Sequence, residues 1–560
     1  MRHAAPLTAL ALTATAGLAQ TTVNATYTGS FNGSYTSASS WSIGAVPNNT
    51  ADTSYNITLN LPTRILTGAG IAVSGFSAGS FGAVELDAPA TFTVLGPVTG
   101  LGTLRTRDPG AVINVAAAGH VDHGRFESFD GGITVSAASW STTLAGEVLA
   151  AKRSAGSAVI SMPSLASITL AQPATATAFG ATFADGNEAR LDLPALASVS
   201  GDMTWYATFG GVINAGSLAS LDSDTVTAER AGSLILMDAA TTASGATLQS
   251  LSGATLSLGA LTSADGALLR AHGQGSVLAA DSLTTQPASN TRVVATGGGS
   301  VWLNAVDGAQ ALSIDQSSQL SVSGGVVLNT ANAESLDGSL VMTGDGTLEI
   351  AQTDEADARL DFSMRLTVAQ NATVTLTDAT DDDNDGLPDA LYLSSADFVN
   401  QALALEPGAT LEVTPGQPIY LLDNFAWVRL EDLLAASEGC VSFDRGQICF
   451  VTEQEEEPEK PACLADVNPD GVLDHGDILA FVRLYIDRDP GADLDGNLRI
   501  GPNDVRVFLR AFLTGCQETE TTRRNRGIGR VMRYHANPDK NGRENDSRNS
   551  AREKNTKRRR

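Results

Sequence analysis

The chain has 560 residues and a formal net charge of −27, with 62 acidic against 35 basic side chains. Charged residues make up only 17% of it and aromatic residues 5%, while 55 residues are glycine. Long helices would require more Glu, Lys and Arg, so this mixture favours many short strands joined by tight turns. The acidic balance argues against binding to nucleic acid.

Residues 1–19 have the pattern of a secretory signal peptide. Arg2 and His3 are basic, residues 4–16 are rich in Ala and Leu, and small residues precede a cleavage point before Gln20. The apolar run is too short for a membrane anchor, and no later segment has the length of a membrane-spanning helix. We therefore expect a secreted protein, extracellular or at the cell surface, without a transmembrane segment.

An N-terminal cap and the first β coils are expected over residues 20–150. The segments Trp41–Pro47 and Tyr55–Leu59 are similar to the opening motif of bacterial surface β-solenoids. Coils need such caps because an open end would expose edge strands.

The middle of the chain is repetitive. Glycines recur every 21–26 residues, at Gly211, Gly232, Gly253, Gly275, Gly299, Gly325 and Gly346. Most are followed by a short apolar or alternating segment, such as Ala254–Leu258 or Thr347–Ile350. Repeats of this length are typical of a solenoid, in which stacked coils share a core that one coil cannot bury alone. We expect β-solenoid repeats over 151–376, in a mainly β, right-handed parallel β-helix; a β-sandwich is the alternative.

An acidic calcium-type loop and a C-terminal cap are expected over 377–450. The spacing of Asp381, Asp383, Asp385, Gly386 and Asp389 matches positions 1, 3, 5, 6 and 9 of a calcium loop and resembles a thrombospondin type 3 loop. Closely spaced carboxylates repel one another without a cation, which favours an ion over a bare acidic turn.

The four cysteines fall into two local pairs, which suits an oxidising compartment. Cys440 and Cys449 would pin a hairpin, and Cys463 and Cys516 would close a longer loop. Four ligands for one zinc ion are the alternative, but the Cys-x-x-Cys spacing of such sites is missing.

Near the C-terminus, two segments have the oxygen-ligand spacing of calcium loops, with a carboxylate, amide or carbonyl at each ligand position. The first offers Asp466, Asn468, Asp470, the carbonyl of Val472, Asp474 and Asp477. The second offers Asp493, Asp495, Asn497 and Asp504. Because Leu498 stands where the first loop has its turn glycine, Gly471, the second site is expected to be weaker.

Two features of these loops resemble the dockerins: Asp at position 12 and a second copy 27 residues downstream. Each loop precedes an apolar stripe with helical spacing, so we expect two short helices that bury these stripes against one another. The stripes are Ile478, Phe481, Val482 and Tyr485, then Val505, Phe508, Leu509 and Phe512.

Residues 463–516 therefore resemble the Cys-flanked, dockerin-like module of secreted planctomycete-type proteins. The resemblance implies a small all-α domain that binds calcium (Ca2+) and docks on a cohesin-like protein. It also implies that the residues at positions 10 and 11 tune the choice of partner; these are His475, Gly476, Pro502 and Asn503.

The flanking segments differ in charge. Residues 451–462 form an acidic linker. Residues 517–560 form a basic tail that we expect to be disordered, since residues 521–560 hold 14 basic and 4 acidic side chains and few apolar ones.

Signals for catalysis are weak, and no His-Glu-x-x-His motif occurs. Acidic residues near Trp205 and Tyr206 suggest solvated solenoid surfaces more than a catalytic groove; they are Asp185, Glu188, Asp192, Asp222, Asp224 and Glu229. On a strand, His120 and His123 point to opposite faces, which favours isolated surface histidines over a metal site.

The leading hypothesis is a secreted, non-catalytic, calcium-binding β-solenoid scaffold that docks to a cohesin-like protein. The alternatives are a polysaccharide-degrading enzyme, either a glycoside hydrolase or a polysaccharide lyase, and a glycan-binding adhesin. In both alternatives the partner is an extracellular polysaccharide.

Overall fold

A computed structural model describes the chain from residue 20 to residue 514, with gaps. The described residues are 20–65, 70–116, 119–180, 188–286, 289–307, 311–329, 333–351, 364–377, 390–394, 402–415, 417–423, 426–434, 439–451, 465–467, 473–488, 492, 494 and 500–514. They divide into two compact units, within residues 1–452 and 453–560.

Short strands make up most of the first unit. The first are β1 (Thr21–Thr26), β2 (Gly33–Ser34), β3 (Thr53–Leu59), β4 (Pro62–Ile65), β5 (Gly70–Val73), β6 (Gly75–Ala78), β7 (Ala83–Leu86), β8 (Thr91–Val94), β9 (Val98–Thr106), β10 (Val112–Val115), β11 (His120–Phe129), β12 (Gly131–Val135), β13 (Ser139–Thr142) and β14 (Gly146–Lys152), with a 3-10 helix at Ala38–Ser40.

The repeat region contains β15 (Ala158–Ser161), β16 (Ser167–Leu170), β17 (Ala174–Phe179), β18 (Ala189–Asp192), β19 (Ser198–Ser200), β20 (Met203–Thr208), β21 (Val212–Asn214), β22 (Thr225–Glu229), β23 (Leu234–Leu236), β24 (Thr247–Leu251), β25 (Thr255–Ser257), β26 (Leu268–His272), β27 (Val277–Thr285), β28 (Arg292–Thr296), β29 (Ser300–Asp307), β30 (Ala311–Ile314), β31 (Gln319–Val322), β32 (Val326–Asn329), β33 (Ala333–Leu336), β34 (Ser339–Met342), β35 (Gly346–Ala351), β36 (Arg365–Val368) and β37 (Thr373–Thr377).

The remaining elements are β38 (Leu391–Leu393), β39 (Leu403–Leu405), β40 (Thr410–Val413), β41 (Ile419–Asp423), β42 (Ala426–Arg429), α1 (Leu430–Leu434), β43 (Gly439–Phe443), β44 (Gly446–Phe450), α2 (His475–Asp487) and α3 (Pro502–Thr514).

The strands form two long sheets and one small one. The first sheet has 20 described strands, the second has 21, and β38, β41 and β42 form the third. Every ladder between the described strands is parallel except the hairpins β41–β42 and β43–β44. A strand pairs with the equivalent strand of the next coil, as β23 does with β21 and β25. The expectation of a mainly β, solenoid-like body is confirmed, and the antiparallel sheets of a β-sandwich are not observed in the described region.

The core consists of ladders of aliphatic side chains that point inward from successive coils. In the second sheet, Ile213, Ile235, Leu256, Leu278 and Val301 are register partners, and all five are fully buried. Their strands alternate buried and outward positions because successive side chains of a strand point to opposite faces. Each such burial contributes about 1.5–3 kcal/mol to folding, so the continuous ladder stabilises neighbouring coils together.

The periodic glycines mark a corner of the coils. Gly232, Gly253 and Gly275 have φ angles of +82°, +88° and +77°, in the left-handed region that a side chain disfavours. The glycine period of the sequence therefore reports a repeated backbone turn.

Aromatic side chains close the N-terminal end of the core. The indole of Trp41 packs edge-on against Tyr27 and Tyr35, with ring centroids 5.3 and 4.8 Å apart. Its Nε1–H donates to the carbonyl oxygen of Tyr35 at 2.8 Å, which satisfies a buried donor.

The hairpin β43–β44 is cross-linked as expected, by a disulfide between Cys440 and Cys449. Its strand β44 extends the second sheet by pairing in parallel with β40. Cys463 and Cys516 lie outside the described residues, so their pairing stays a prediction.

Candidate functional site

In the second unit, each of the two helices has a buried aspartate in its first turn. In α2, Asp477 is fully buried and its Oδ2 accepts a hydrogen bond from the backbone N–H of Asp474 at 3.0 Å. Asp474 in turn accepts from the N–H of Gly476 at 2.6 Å. These contacts form a capping box, which satisfies donors that a helix N-terminus leaves unpaired.

Helix α3 repeats the contact of Asp477 27 residues later, with Gly501 at the position of the capping Asp474. Asp504 is fully buried, and its Oδ2 accepts from the backbone N–H of Gly501 at 2.8 Å. Asp477 and Asp504 are the residues at position 12 of the two predicted calcium loops. Both are therefore held in equivalent places at the start of two helices of 13 residues each.

The core of the helix pair is duplicated in the same way. Its members form seven pairs of residues 27 positions apart: Ala465 and Ala492, Val467 and Leu494, Leu473 and Ile500, Ile478 and Val505, Phe481 and Phe508, Leu484 and Ala511, Tyr485 and Phe512. Because the segments before both helices take part as well, the duplication covers the ends of the loops and not the helices alone.

Part of the predicted apolar stripe faces solvent. Val482 is 44% exposed and Leu509 46%, so the expectation that they bury between the helices is wrong. Together with Leu479, Ile486 and Leu513 they leave apolar side chains open on both helices. The i, i+3, i+4 spacing makes these side chains neighbours on one face of each helix, and exposed apolar patches of this kind mark interaction surfaces.

Four of the predicted calcium ligands are described: Asp466, Asp474, Asp477 and Asp504. The other ligands of the helix-pair loops lie outside the described residues; they are Asn468, Asp470, Val472, Asp493, Asp495 and Asn497. The same holds for the third loop, with Asp381, Asp383, Asp385 and Asp389. Within the described ranges, no group of three or more Asp, Glu, His or Cys side chains could hold a metal ion.

The described donors still fit calcium chemistry. Asp477 and Asp504 are buried carboxylates, and the backbone hydrogen bonds described above already meet part of a buried charge's need for polar partners. Each one provides the oxygen that a hard divalent cation prefers.

The carboxylates singled out in the solenoid are not gathered into one group, although Glu188 and Asp192 lie 3.8 and 3.4 Å from guanidinium nitrogens of Arg190. Asp192 lies on the second sheet, where it accepts from Asn214 Nδ2 at 2.8 Å, and Glu229 lies on the first. Asp222 is an exposed corner residue that accepts from the N–H of Ser244. Asp185 lies outside the described residues. These positions match solvated solenoid surfaces and not one groove.

Asp224 differs from these carboxylates because its side chain is buried. It is 5% exposed, and burial raises the pKa of its carboxyl to about 6. It accepts from the N–H of Met203 at 3.1 Å and from the Trp205 indole N–H at 3.3 Å. Trp205 is fully buried, so it cannot form an exposed platform for a sugar ring.

The two histidines of β11 point to opposite faces, as the strand pattern predicts. His120 is exposed, with its ring nitrogens 2.9 Å from the hydroxyls of Ser139 and Ser141. His123 is fully buried between the rings of Phe76 and Phe126, so describing it as a surface residue is wrong. Burial lowers the pKa of His123 to about 3, which keeps the ring neutral.

Sequence reasoning missed a cluster on the outer face of the first sheet. The ring centroids of Phe179 and Phe209 are 5.0 Å apart, and the guanidinium carbon of Arg230 lies 4.1 Å from the Phe209 centroid. These residues are 21 to 51 positions apart, and only the coil register makes them neighbours.

Comparison with protein-family models, with curated proteins and with solved structures finds no match to this chain. Across the described residues, no helix combines the length and the apolar character needed to cross a membrane.

Proposed function

We propose that this chain is a secreted or cell-surface β-solenoid scaffold whose C-terminal helix pair binds calcium and docks on a cohesin-like protein. The duplicated core of the helix pair is the observation that carries the proposal. Seven residue pairs with one spacing, including both loop flanks, favour two copies of one calcium-loop-and-helix unit.

In this proposal the chain's own oxygens hold the ions. Asp466, Asn468, Asp470, Asp474 and Asp477 would supply side-chain ligands in the first loop, with the carbonyl of Val472. Asp493, Asp495, Asn497 and Asp504 would do so in the second loop. A bound cation offsets the repulsion among these carboxylates and so favours the folded loops.

The partner would bind the exposed apolar face of the helices. Leu479, Val482 and Ile486 on α2, and Leu509 and Leu513 on α3, provide apolar surface that a free domain gains nothing by exposing. The exposed His475 and Pro502 border this face at the helix starts and would tune the choice of partner.

In this proposal the solenoid body is the part that is displayed. We take its crossover connections to be right-handed, as connections between parallel strands nearly always are.

Calcium-dependent capture tests the proposal. The full chain, immobilised in calcium, should retain a cohesin-like protein from the secreted or cell-surface fraction of its source organism and release it in chelator. Leu479→Glu with Leu513→Glu should abolish retention, and His475→Ala with Pro502→Ala should weaken it. Trp302→Ala, which changes an exposed aromatic residue of the solenoid, is the control. Retention of nothing, or of the same proteins in chelator, would contradict the docking function.

A further inference from the structure

One outer face of the first sheet carries aromatic and cationic side chains on consecutive strands. Phe129, Lys152 and Phe179 are register partners on β11, β14 and β17. Phe209 and Arg230 directly follow the next two strands, β20 and β22. We call these five residues the flank strip. At about 4.8 Å per strand, its four steps extend roughly 19 Å along the stacked coils.

The flank strip combines ring contacts with open surface. Phe179 is 38% exposed, although it packs against Phe209, and the Arg230 side chain is 53% exposed although it lies over the Phe209 ring. At the other end, the Lys152 ammonium lies 5.8 Å from the centroid of the Phe129 ring. Phe179 therefore keeps open surface while its neighbour braces it, and Phe129 and Phe209 are half-buried beside cations.

The backbone at this corner is left-handed in successive coils, and two of these coils place a bulky residue there. Phe209 and Arg230 have φ angles of +54° and +71°, which bulky residues rarely adopt. The next two coils place Ser252 and Gly273 at the equivalent corner, at φ +55° and +91°. A Cβ on Gly180 would lie 2.1 Å from the Phe209 carbonyl oxygen, so a glycine accommodates this corner. Strain of this kind concentrates at binding and catalytic sites.

Polar groups beside the rings are paired with one another. The Tyr206 hydroxyl donates to the Glu229 carboxylate, and Glu229 Oε1 lies 4.0 Å from Arg230 Nε. Lys152 pairs with Glu147. The face therefore offers hydroxyl, carboxylate and guanidinium groups for hydrogen bonds, while its charges largely cancel.

We propose that the flank strip binds a neutral polysaccharide that runs along the stacked coils. A sugar ring has an apolar C–H face, which suits an aromatic face, and an edge of hydroxyls, which suits paired polar groups. An anionic chain is disfavoured, because the cations are paired and the chain outside residues 521–560 has a net charge of −37. This activity is independent of the docking proposed for the helix pair.

Affinity gel electrophoresis of the full chain tests the proposal. The gels would contain neutral polysaccharides (hydroxyethylcellulose, galactomannan, laminarin or dextran) or anionic ones (alginate or polygalacturonate). At least one neutral polysaccharide should retard the wild-type chain. Phe179→Ala and Phe209→Asn should each raise the dissociation constant at least tenfold. Phe179→Tyr, which keeps the aromatic ring, should bind like the wild type.

Two controls separate binding from folding. Asn adopts left-handed backbone readily, so Phe209→Asn should not lower the urea midpoint of unfolding. Trp302→Ala removes a 41% exposed aromatic side chain from the second sheet and should bind like the wild type. Retardation by anionic polysaccharides alone, by none of the panel, or equally in the wild type and both strip variants would overturn the proposal, as would equal loss in Trp302→Ala.

Discussion

The rings of Phe481 and Phe508 stack face to face, with centroids 4.2 Å apart and planes inclined by 2°. Each ring is the equivalent of the other in the two copies of the duplicated helix unit, and both are at most 3% exposed. Equivalent residues of the two copies therefore contact each other, and neither copy can bury its core without the other.

Removing one of these rings should unfold the helix pair. Phe508→Ala is expected to cost about 3–5 kcal/mol, which matches or exceeds the stability that so small a core supplies. Circular dichroism of residues 453–516 in calcium should lose its helical signal. Leu509→Ala, which truncates the half-exposed neighbouring residue, should keep the signal. A helical Phe508→Ala segment would show that this stack is dispensable.

Calcium should bind the two loops unequally. Asp466→Ala should lower calcium affinity more than Asp493→Ala. The second loop has Leu498 in place of the turn glycine, so it is expected to bind calcium more weakly even in the wild type. Titration calorimetry of residues 453–516 measures both variants against the wild type. Equal losses, or a wild-type segment that takes up no calcium, would rule out this ranking.

A charge placed in the aliphatic ladder should disrupt the solenoid. Leu256→Asp puts a carboxylate between Ile235 and Leu278, where it has no compensating partner in the apolar ladder, so neighbouring coils should unfold. Thr255→Asp is the matched control, because Thr255 is only partly buried and points away from the ladder. The urea midpoint should fall strongly for the first variant and little for the second; similar midpoints would contradict the register.

The buried imidazole of His123 should make folding sensitive to acid. Its pKa is about 3 in the folded chain and 6.5 ordinarily, so below pH 6.5 the unfolded state takes up a proton that the folded state does not. Stability from this group is complete above pH 6.5 and falls by about 1.4 kcal/mol per pH unit as the pH drops towards 3. His123→Phe should remove this slope, as measured by urea midpoints followed through Trp fluorescence.

The contribution of Asp224 to folding stability should depend on pH with the opposite sign. Its raised pKa, about 6 against 3.8, means that the folded state holds a proton between these values while the unfolded state has lost it. Stability from Asp224 therefore falls as the pH rises from 3.8 to 6, and Asp224→Asn should flatten that contribution. If both variants changed the pH profile in the same direction, the burial of one of these groups would be misassigned.

Much of this protein follows from short-range sequence patterns. The glycine period predicts the corners, alternating apolar residues predict the strands, and each aspartate at position 12 predicts the start of a helix. These features depend on neighbours within one strand, turn or helix, where backbone geometry links spacing directly to structure. The hairpin disulfide between Cys440 and Cys449 belongs to this class, since its two cysteines are only nine positions apart.

Only the tertiary structure decides which face of each pattern is buried. Alternation separates the two faces of β11 and β20 but does not say that His123 and Trp205 point inward, nor does helical spacing say that Val482 and Leu509 stay outside. The flank strip likewise cannot be recognised in the sequence, because its residues lie on successive coils, 21 to 30 positions apart. Which residues become neighbours depends on the register between parallel strands, and that register results from packing the shared core of all coils together.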